Sequence, residues 1–243
     1  MGGSIHIALV FVAAFSGALV SGLVGFAFSA VAGAILLHLM PPTEAVPLMM
    51  LCSILVQLTS MIAVIDAVQW KRTLVLVAGG LLGLIPAVYL LQHVDTRLFR
   101  ICFGVFVASY AAYMLLRSAS KRRPSTGGAL GEGLVGFGGG LVGGLTAMPG
   151  ALPTMWCDLH GLPKIEQRGV VQPYILIMQL IALALLLPRL GRSPDMLFDF
   201  LVCAPGLAAG TAVGVALFGR VDDIMFRRVV LAMLLVSGLT LAL

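Results

Sequence analysis

The chain has 243 residues, of which 60% are hydrophobic and 10% charged, and its mean hydropathy is +1.09. That is too little polar surface to cover a soluble globule of this size, so composition excludes a water-soluble domain and points to a bilayer. The net charge of +5 is no sign of nucleic-acid binding, because the basic residues sit in short stretches between apolar runs, where they report membrane topology.

In chain order, a long apolar run over residues 5–40 opens the sequence and one over 45–69 follows. Runs near 74–92 and 97–116 come next, each about the 20 residues that cross roughly 30 Å of hydrocarbon. A polar, basic stretch over 117–128 carries Lys121-Arg122-Arg123-Pro124. Beyond it lie a Gly-rich run at 131–157 and spans near 169–187, 196–218 and 224–243. The start of the chain lacks a basic segment before a short apolar core, so the first run is expected to stay in the fold rather than act as a cleaved signal. Cys52, Cys102, Cys157 and Cys203 lie singly in or beside apolar segments and read as small hydrophobes.

Two halves of the chain repeat each other. Gly22-Leu23, His38, Pro41, Glu44 and Gln57 recur at an offset of 122 as Gly144-Leu145, His160, Pro163, Glu166 and Gln179. Gly79, Gly83, Val94-Asp95 and Phe99-Arg100 recur at an offset of 127 as Gly206, Gly210, Val221-Asp222 and Phe226-Arg227. The organisation is therefore a first membrane repeat over 1–116, a basic linker over 117–128 and a second repeat over 129–243. Such a duplication, with irregular apolar segments in corresponding places, is the pattern of a transporter whose site lies between the repeats.

Charge counting sets the orientation. If 5–40 and 131–157 each cross once, Lys and Arg divide eight against seven, which is no bias. If each goes in and returns, Lys71, Arg72, Arg117, Lys121, Arg122, Arg123, Lys164, Arg168, Arg220, Arg227 and Arg228 share one side, against Arg97, Arg100, Arg189 and Arg192. Eleven against four satisfies the positive-inside rule, with the copies inverted, the linker cytoplasmic and both termini outside. The fold class is thus an all-α integral membrane protein of two inverted repeats, each a Gly-rich broken or re-entrant segment plus three transmembrane helices. Whether the broken segments are re-entrant hairpins or pairs of short spans stays open at this level.

The breaks themselves are the first candidate sites. One lies around Gly25, Phe26 and Ser29, and the other at Thr146, Met148, Pro149 and Gly150, where proline removes a backbone donor and glycine loosens the helix. A break leaves a half-helix whose free N–H groups and positive dipole end suit an anion. Gly17, Gly22, Gly136, Gly139, Gly140 and Gly143 read instead as close-packing positions between helices. Gln57, Gln172 and Gln179 are amides inside apolar helices, suited either to oxyanion binding or to interhelical hydrogen bonds.

His38 with Glu44, and His160 with Glu166, lie just beyond the breaks, where they either carry a coupled proton or cap helices. Arg168 either steers anions or marks the cytoplasmic boundary. Asp95 and Asp222 read as helix N-caps, and Asp199 as a carboxylate that snorkels to the interface. Cys157-Asp158-Leu159-His160 lacks a second ligand pair, so no metal is expected. There is no Walker-type run and no nucleophile–base pair, which argues against an ATPase or another membrane enzyme.

The doubled Gly-rich opening, the Gly-Leu-Pro-Lys-x-Glu-x-Arg run at Gly161–Arg168 and the Leu-Met-Pro-Pro-x-Glu-Ala run at Leu39–Ala45 resemble the TauE/SafE sulfite-exporter family of membrane permeases across essentially the whole chain. The resemblance implies outward movement of small sulfur-containing anions, such as sulfite or organosulfonates, across a bacterial-type inner membrane and coupled to an ion gradient. The expected partners are then the lipid bilayer, a small anion and a coupling proton or sodium ion, with no cofactor and no nucleic acid. Another small organic anion such as a carboxylate, a membrane enzyme and an assembly subunit remain as alternatives, and a homo-oligomer is left open.

Overall fold

A computed structural model describes residues 2–25, 27–116, 128–190 and 194–217, with Ala232, Leu235, Gly238 and Leu239 beyond them. The linker cluster Lys121-Arg122-Arg123, Phe26, Arg192, Arg220, the Val221-Asp222 and Phe226-Arg227 repeats, Arg228 and most of the last expected span lie outside the described residues.

The first copy contains α1 (Gly2–Val24), α2 (Phe28–Leu39), α3 (Pro42–Met61), a 3-10 turn (Ile62–Ala67), α4 (Trp70–Leu91) and α5 (Thr96–Leu116). The second contains α6 (Gly128–Thr146), α7 (Ala151–Leu159), α8 (Lys164–Leu190) and α9 (Pro194–Leu217). Five of these helices, α1, α3, α4, α8 and α9, are long and apolar enough to cross a membrane, and no strand occurs among the described residues. Local chemistry explains several boundaries. Pro42 opens α3, where its missing N–H is not needed, and Glu44 sits in that helix's first turn, as Glu166 does in α8. Asp95 accepts the Arg97 and Leu98 amides at 2.8 and 3.0 Å, the expected N-cap of α5.

The expected runs over 5–40 and 131–157 are both split. In each copy the second helix folds back along the first: Phe28 packs on Gly17 in the first copy, and Pro149, Leu152, Pro153 and Trp156 pack on Gly143, Gly138, Gly139 and Gly131 in the second. The returning arms have 12 and 9 residues, about 18 and 14 Å, too short for a bilayer of roughly 30 Å. They are half-helices that follow each break.

One pair of equivalent helices, α3 and α8, packs in opposite directions. The chain beyond the end of α3 meets the start of α8: the Gln69 amide donates to the Gly169 carbonyl at 3.1 Å, and the Thr73 hydroxyl to the Val170 carbonyl at 3.2 Å. Midway along, Ile54 and Leu176, equivalent residues of the two copies, share a small apolar cluster. An antiparallel pairing of a helix with its own counterpart is the relation that inverted repeats require.

The remaining helices pair across the copies, α1 with α9 and α4 with α6, both in parallel. Gly206, Gly210 and Gly214 of α9 lie on the backbone of Phe11, Phe15 and Leu19, and Gly79 and Gly83 of α4 on that of Gly133 and Phe137. A side chain at Gly83, Gly136 or Gly140 would run into a facing carbonyl. Packing, in lipid, comes from such close backbone approach rather than from a hydrophobic drive between helices.

Each cross-copy pair also carries one ion pair near its end. Arg72 Nε and Glu132 Oε1 are 2.6 Å apart, and His6 Nε2 and Asp199 Oδ1 are 3.1 Å apart. Asp199, expected to snorkel, is instead buried against His6, because the parallel α1–α9 packing brings the starts of two distant helices together.

Candidate functional site

The two breaks meet in the middle of the molecule. In the first, Gly25 (φ 88°) and Ala27 (φ 79°) take left-handed backbone before α2 starts; in the second, Ala147 (φ 57°) does so after α6 ends. For alanine this conformation costs of order 1 kcal/mol, so the surroundings must hold it in place.

What holds it is a set of amides and hydroxyls aimed at carbonyls. Gln57 Nε2 donates to the Gly25 carbonyl at 3.4 Å, and Gln179 Nε2 to the Ala147 carbonyl at 3.1 Å. Gly25 and Ala147 are themselves equivalent at the offset of 122, as are the two glutamines, so one interaction is built twice. Cross-copy bonds are added to it. The Ser29 hydroxyl donates to the Ala147 carbonyl at 2.8 Å, and Gln172 Nε2 to the Gly25 carbonyl at 3.4 Å. Arg168, 7% exposed, donates from Nη2 to the Leu23 carbonyl at 2.5 Å. A guanidinium there satisfies a free carbonyl and meets the negative end of the α1 dipole.

Between the breaks lies a narrow cleft. Its walls respect the duplication: Ala27, Phe28, Ser29, Ser53 and Gln57 face Pro149, Gly150, Ala151, Ile175 and Gln179, each at the offset of 122, and Ala147 and Met148 complete it. Half-helices α2 and α7 both begin at this cleft, and no side chain caps either N-terminus. Positive dipole ends of both half-helices therefore converge on it, next to the negative C-terminal ends of α1 and α6, and the Ala151 amide already donates to the Met148 carbonyl at 3.3 Å. No charged side chain lines it among the described residues.

Of the residues singled out from the sequence, Ser29, Gln57, Met148, Pro149, Gly150 and Gln179 line the cleft. Gly25 takes part through its carbonyl, Gln172 and Arg168 bind the end of α1, and the Thr146 hydroxyl turns back to the Val142 carbonyl at 2.8 Å. Phe26 lies outside the described residues. His38 and His160 donate from Nδ1 to the Ala34 and Trp156 carbonyls of their own turns, while Glu44 and Glu166 are exposed; none of the four lines the cleft. Gly17, Gly22, Gly136, Gly139, Gly140 and Gly143 all sit against neighbouring atoms, as close packing demands.

Sequence reasoning missed Ser53, Ala27 and Ala147. Ser53 stands four residues before Gln57, on the same helical face, and that spacing was a usable signal. Nothing local marks an alanine as left-handed. Glu132 was also overlooked, although a carboxylate inside a Gly-rich apolar run calls for a partner.

A family model described as Sulfite exporter TauE/SafE matches residues 9–241 of the chain. No curated protein and no solved structure matches it.

Proposed function

The chain belongs to the sulfite exporter TauE/SafE family of membrane transporters, and we propose that it exports a small sulfur-containing anion, such as sulfite or an organosulfonate, by alternating access around the cleft between its two copies. The observation that carries the reading is the convergence of two uncapped half-helix N-termini on one small cleft lined by the Ser29 and Ser53 hydroxyls and the Gln57 and Gln179 amides. Such a site offers hydrogen bonds and partial positive charge without a fixed cation, which lets an anion bind and also leave. Inverted copies supply the rest of the cycle, since rocking one against the other exposes the same site to either side.

The membrane is a bacterial-type inner membrane, with the 117–128 linker cytoplasmic and both termini outside, on the strength of the eleven-to-four charge bias. An active C-terminal phosphatase fusion supports this orientation, and an inactive one reverses it. A proton or sodium gradient drives the export. For a proton, the His38–Glu44 and His160–Glu166 groups at the far ends of the half-helices are the relay residues.

The cleft reads charge and hydrogen bonding rather than sulfur itself, so a small carboxylate is the second reading. Flux into proteoliposomes separates them. Sulfite or a small sulfonate is expected to move well above empty vesicles and acetate less. Replacing Pro149-Gly150 by Ala-Ala is expected to abolish flux in folded protein. Movement of none of these anions would sink the transport reading, and undiminished flux in the double variant would sink the half-helix site.

A further inference from the structure

The two glutamines at the cleft are equivalent in position but not in hydrogen bonding. Gln57 Oε1 has the Ser60 hydroxyl within 3.5 Å. The residue equivalent to Ser60 is Ala182, which has no donor, and Gln179 Oε1 accepts no hydrogen bond although the residue is only 1% exposed. Turning the amide over does not remove the orphan. The Ala147 carbonyl, 3.1 Å from Nε2, can only accept, so it requires the NH2 group on its own side and leaves the oxygen pointing away from it. Gln179 lines the cleft beside the start of α7, and its Oε1 is shielded from solvent with no partner.

Charge matches this chemistry. The positive ends of α2 and α7 favour negative charge, the negative end of α1 is met by the Arg168 guanidinium, and no charged side chain among the described residues lines the cleft, so a low charge on the ligand suits it. Resting on the anion-transport reading above, we propose that the cleft takes a singly charged, hydroxyl-bearing oxyanion, whose O–H donates to Gln179 Oε1 while its other oxygens accept from the two helix N-termini. For a sulfur oxyanion, that species is hydrogensulfite rather than the sulfite dianion. A buried acceptor that a ligand must satisfy discriminates strongly against an analogue lacking the donor.

Equilibrium binding to the purified full-length chain in detergent tests this with three probes. Sulfite is titrated through the pH range in which it gains a proton, methanesulfinate carries one charge with a methyl group in place of the hydroxyl, and sulfate carries two charges. No cleft-lining residue among those described is ionisable. Glu44, Asp66, Arg72, Glu132, Asp158 and Arg168, on the elements packed around α8 and on α8 itself, lie near helix ends or in connections, and methanesulfinate reports any effect of their titration. Sulfite affinity is expected to rise as pH falls, in step with the hydrogensulfite fraction, while methanesulfinate stays flat and sulfate binds at least about tenfold more weakly than hydrogensulfite. Gln179→Leu is expected to lower the ratio of hydrogensulfite to methanesulfinate affinity by about tenfold. Sulfite affinity that ignores pH, sulfate binding as tight as hydrogensulfite, or an unchanged ratio in folded Gln179→Leu protein overturns the proposal; if that variant does not fold, the pH series decides. Binding without this selectivity removes the proposal alone, whereas failure of all three probes and of acetate to bind removes the anion reading as well.

Discussion

Gly25 and Ala147, equivalent residues of the two copies, both take left-handed backbone, with φ of 88° and 57°, and each offers its carbonyl to the glutamine 32 positions further on. The geometry is shared, but the residue suited to it is present only once. Glycine adopts this region without strain, and alanine does not.

Replacing Ala147 by glycine is therefore expected to stabilise the protein by about 0.5–1 kcal/mol, read from chemical unfolding in detergent. The reverse change, Gly25→Ala, adds the same strain and places a methyl group 2.8 Å from Arg168 Nε. A loss of about 2 kcal/mol is expected there. A destabilised Ala147→Gly variant would mean that the second break is not held under strain.

The Gly25 and Ala147 carbonyls each have two side-chain donors, Gln57 with Gln172 and Ser29 with Gln179. Removing one donor leaves the other in place, so Ser29→Ala or Gln172→Leu is expected to cost about 1 kcal/mol or less. Removing both donors from one carbonyl orphans a buried acceptor, and about 2–3 kcal/mol is expected for Gln57→Leu with Gln172→Leu. A double-mutant cycle checks this, since simple additivity would show that the carbonyl finds another partner.

Glycines along α6 differ sharply in what surrounds them. A Cβ at Gly136 or Gly140 meets backbone of α4, whereas one at Gly133 meets nothing within 4 Å. Gly140→Ala is expected to lose about 1–3 kcal/mol through forced separation of α4 and α6. Gly133→Ala, which only improves helix propensity, is expected to be neutral or to gain up to about 1 kcal/mol. Melting temperatures of the two single variants decide it, and equal behaviour would remove the close-packing account.

The Arg72–Glu132 pair is mostly shielded from solvent, its side chains being 16% and 7% exposed. Removing one partner leaves an uncompensated charge, so Glu132→Gln is expected to cost about 3 kcal/mol. Arg72→Gln combined with Glu132→Gln is expected to recover much of that loss, measured as yield and melting temperature of monodisperse protein. No recovery would place the stabilising role in one residue rather than in the pair.

Most of the helices and the two breaks were legible in the sequence, because each depends on a few neighbouring residues. Apolar runs of about 20 residues report hydrocarbon thickness, and Pro149-Gly150 reports a broken helix. Short helices, α2 and α7, follow the two breaks. Gln57 and Gln179 could be picked out as amides in apolar surroundings, yet the choice between ligand binding and helix bridging was not available from their spacing. In the folded chain they bind the breaks and line the cleft together.

By itself, then, the sequence determined what each segment is: its length, its burial in lipid and where its helix must fail, since these follow from local composition and backbone chemistry. Only the tertiary structure decided which segments meet. His6 reaches Asp199 across 193 positions, Ser29 reaches Ala147 across 118, and Arg168 caps a helix that ends 145 residues earlier. Partner choice among helices of similar apolar surface rests on how closely particular backbones fit, through glycines such as Gly83 and Gly140. That fit belongs to pairs of surfaces, and no single segment carries it.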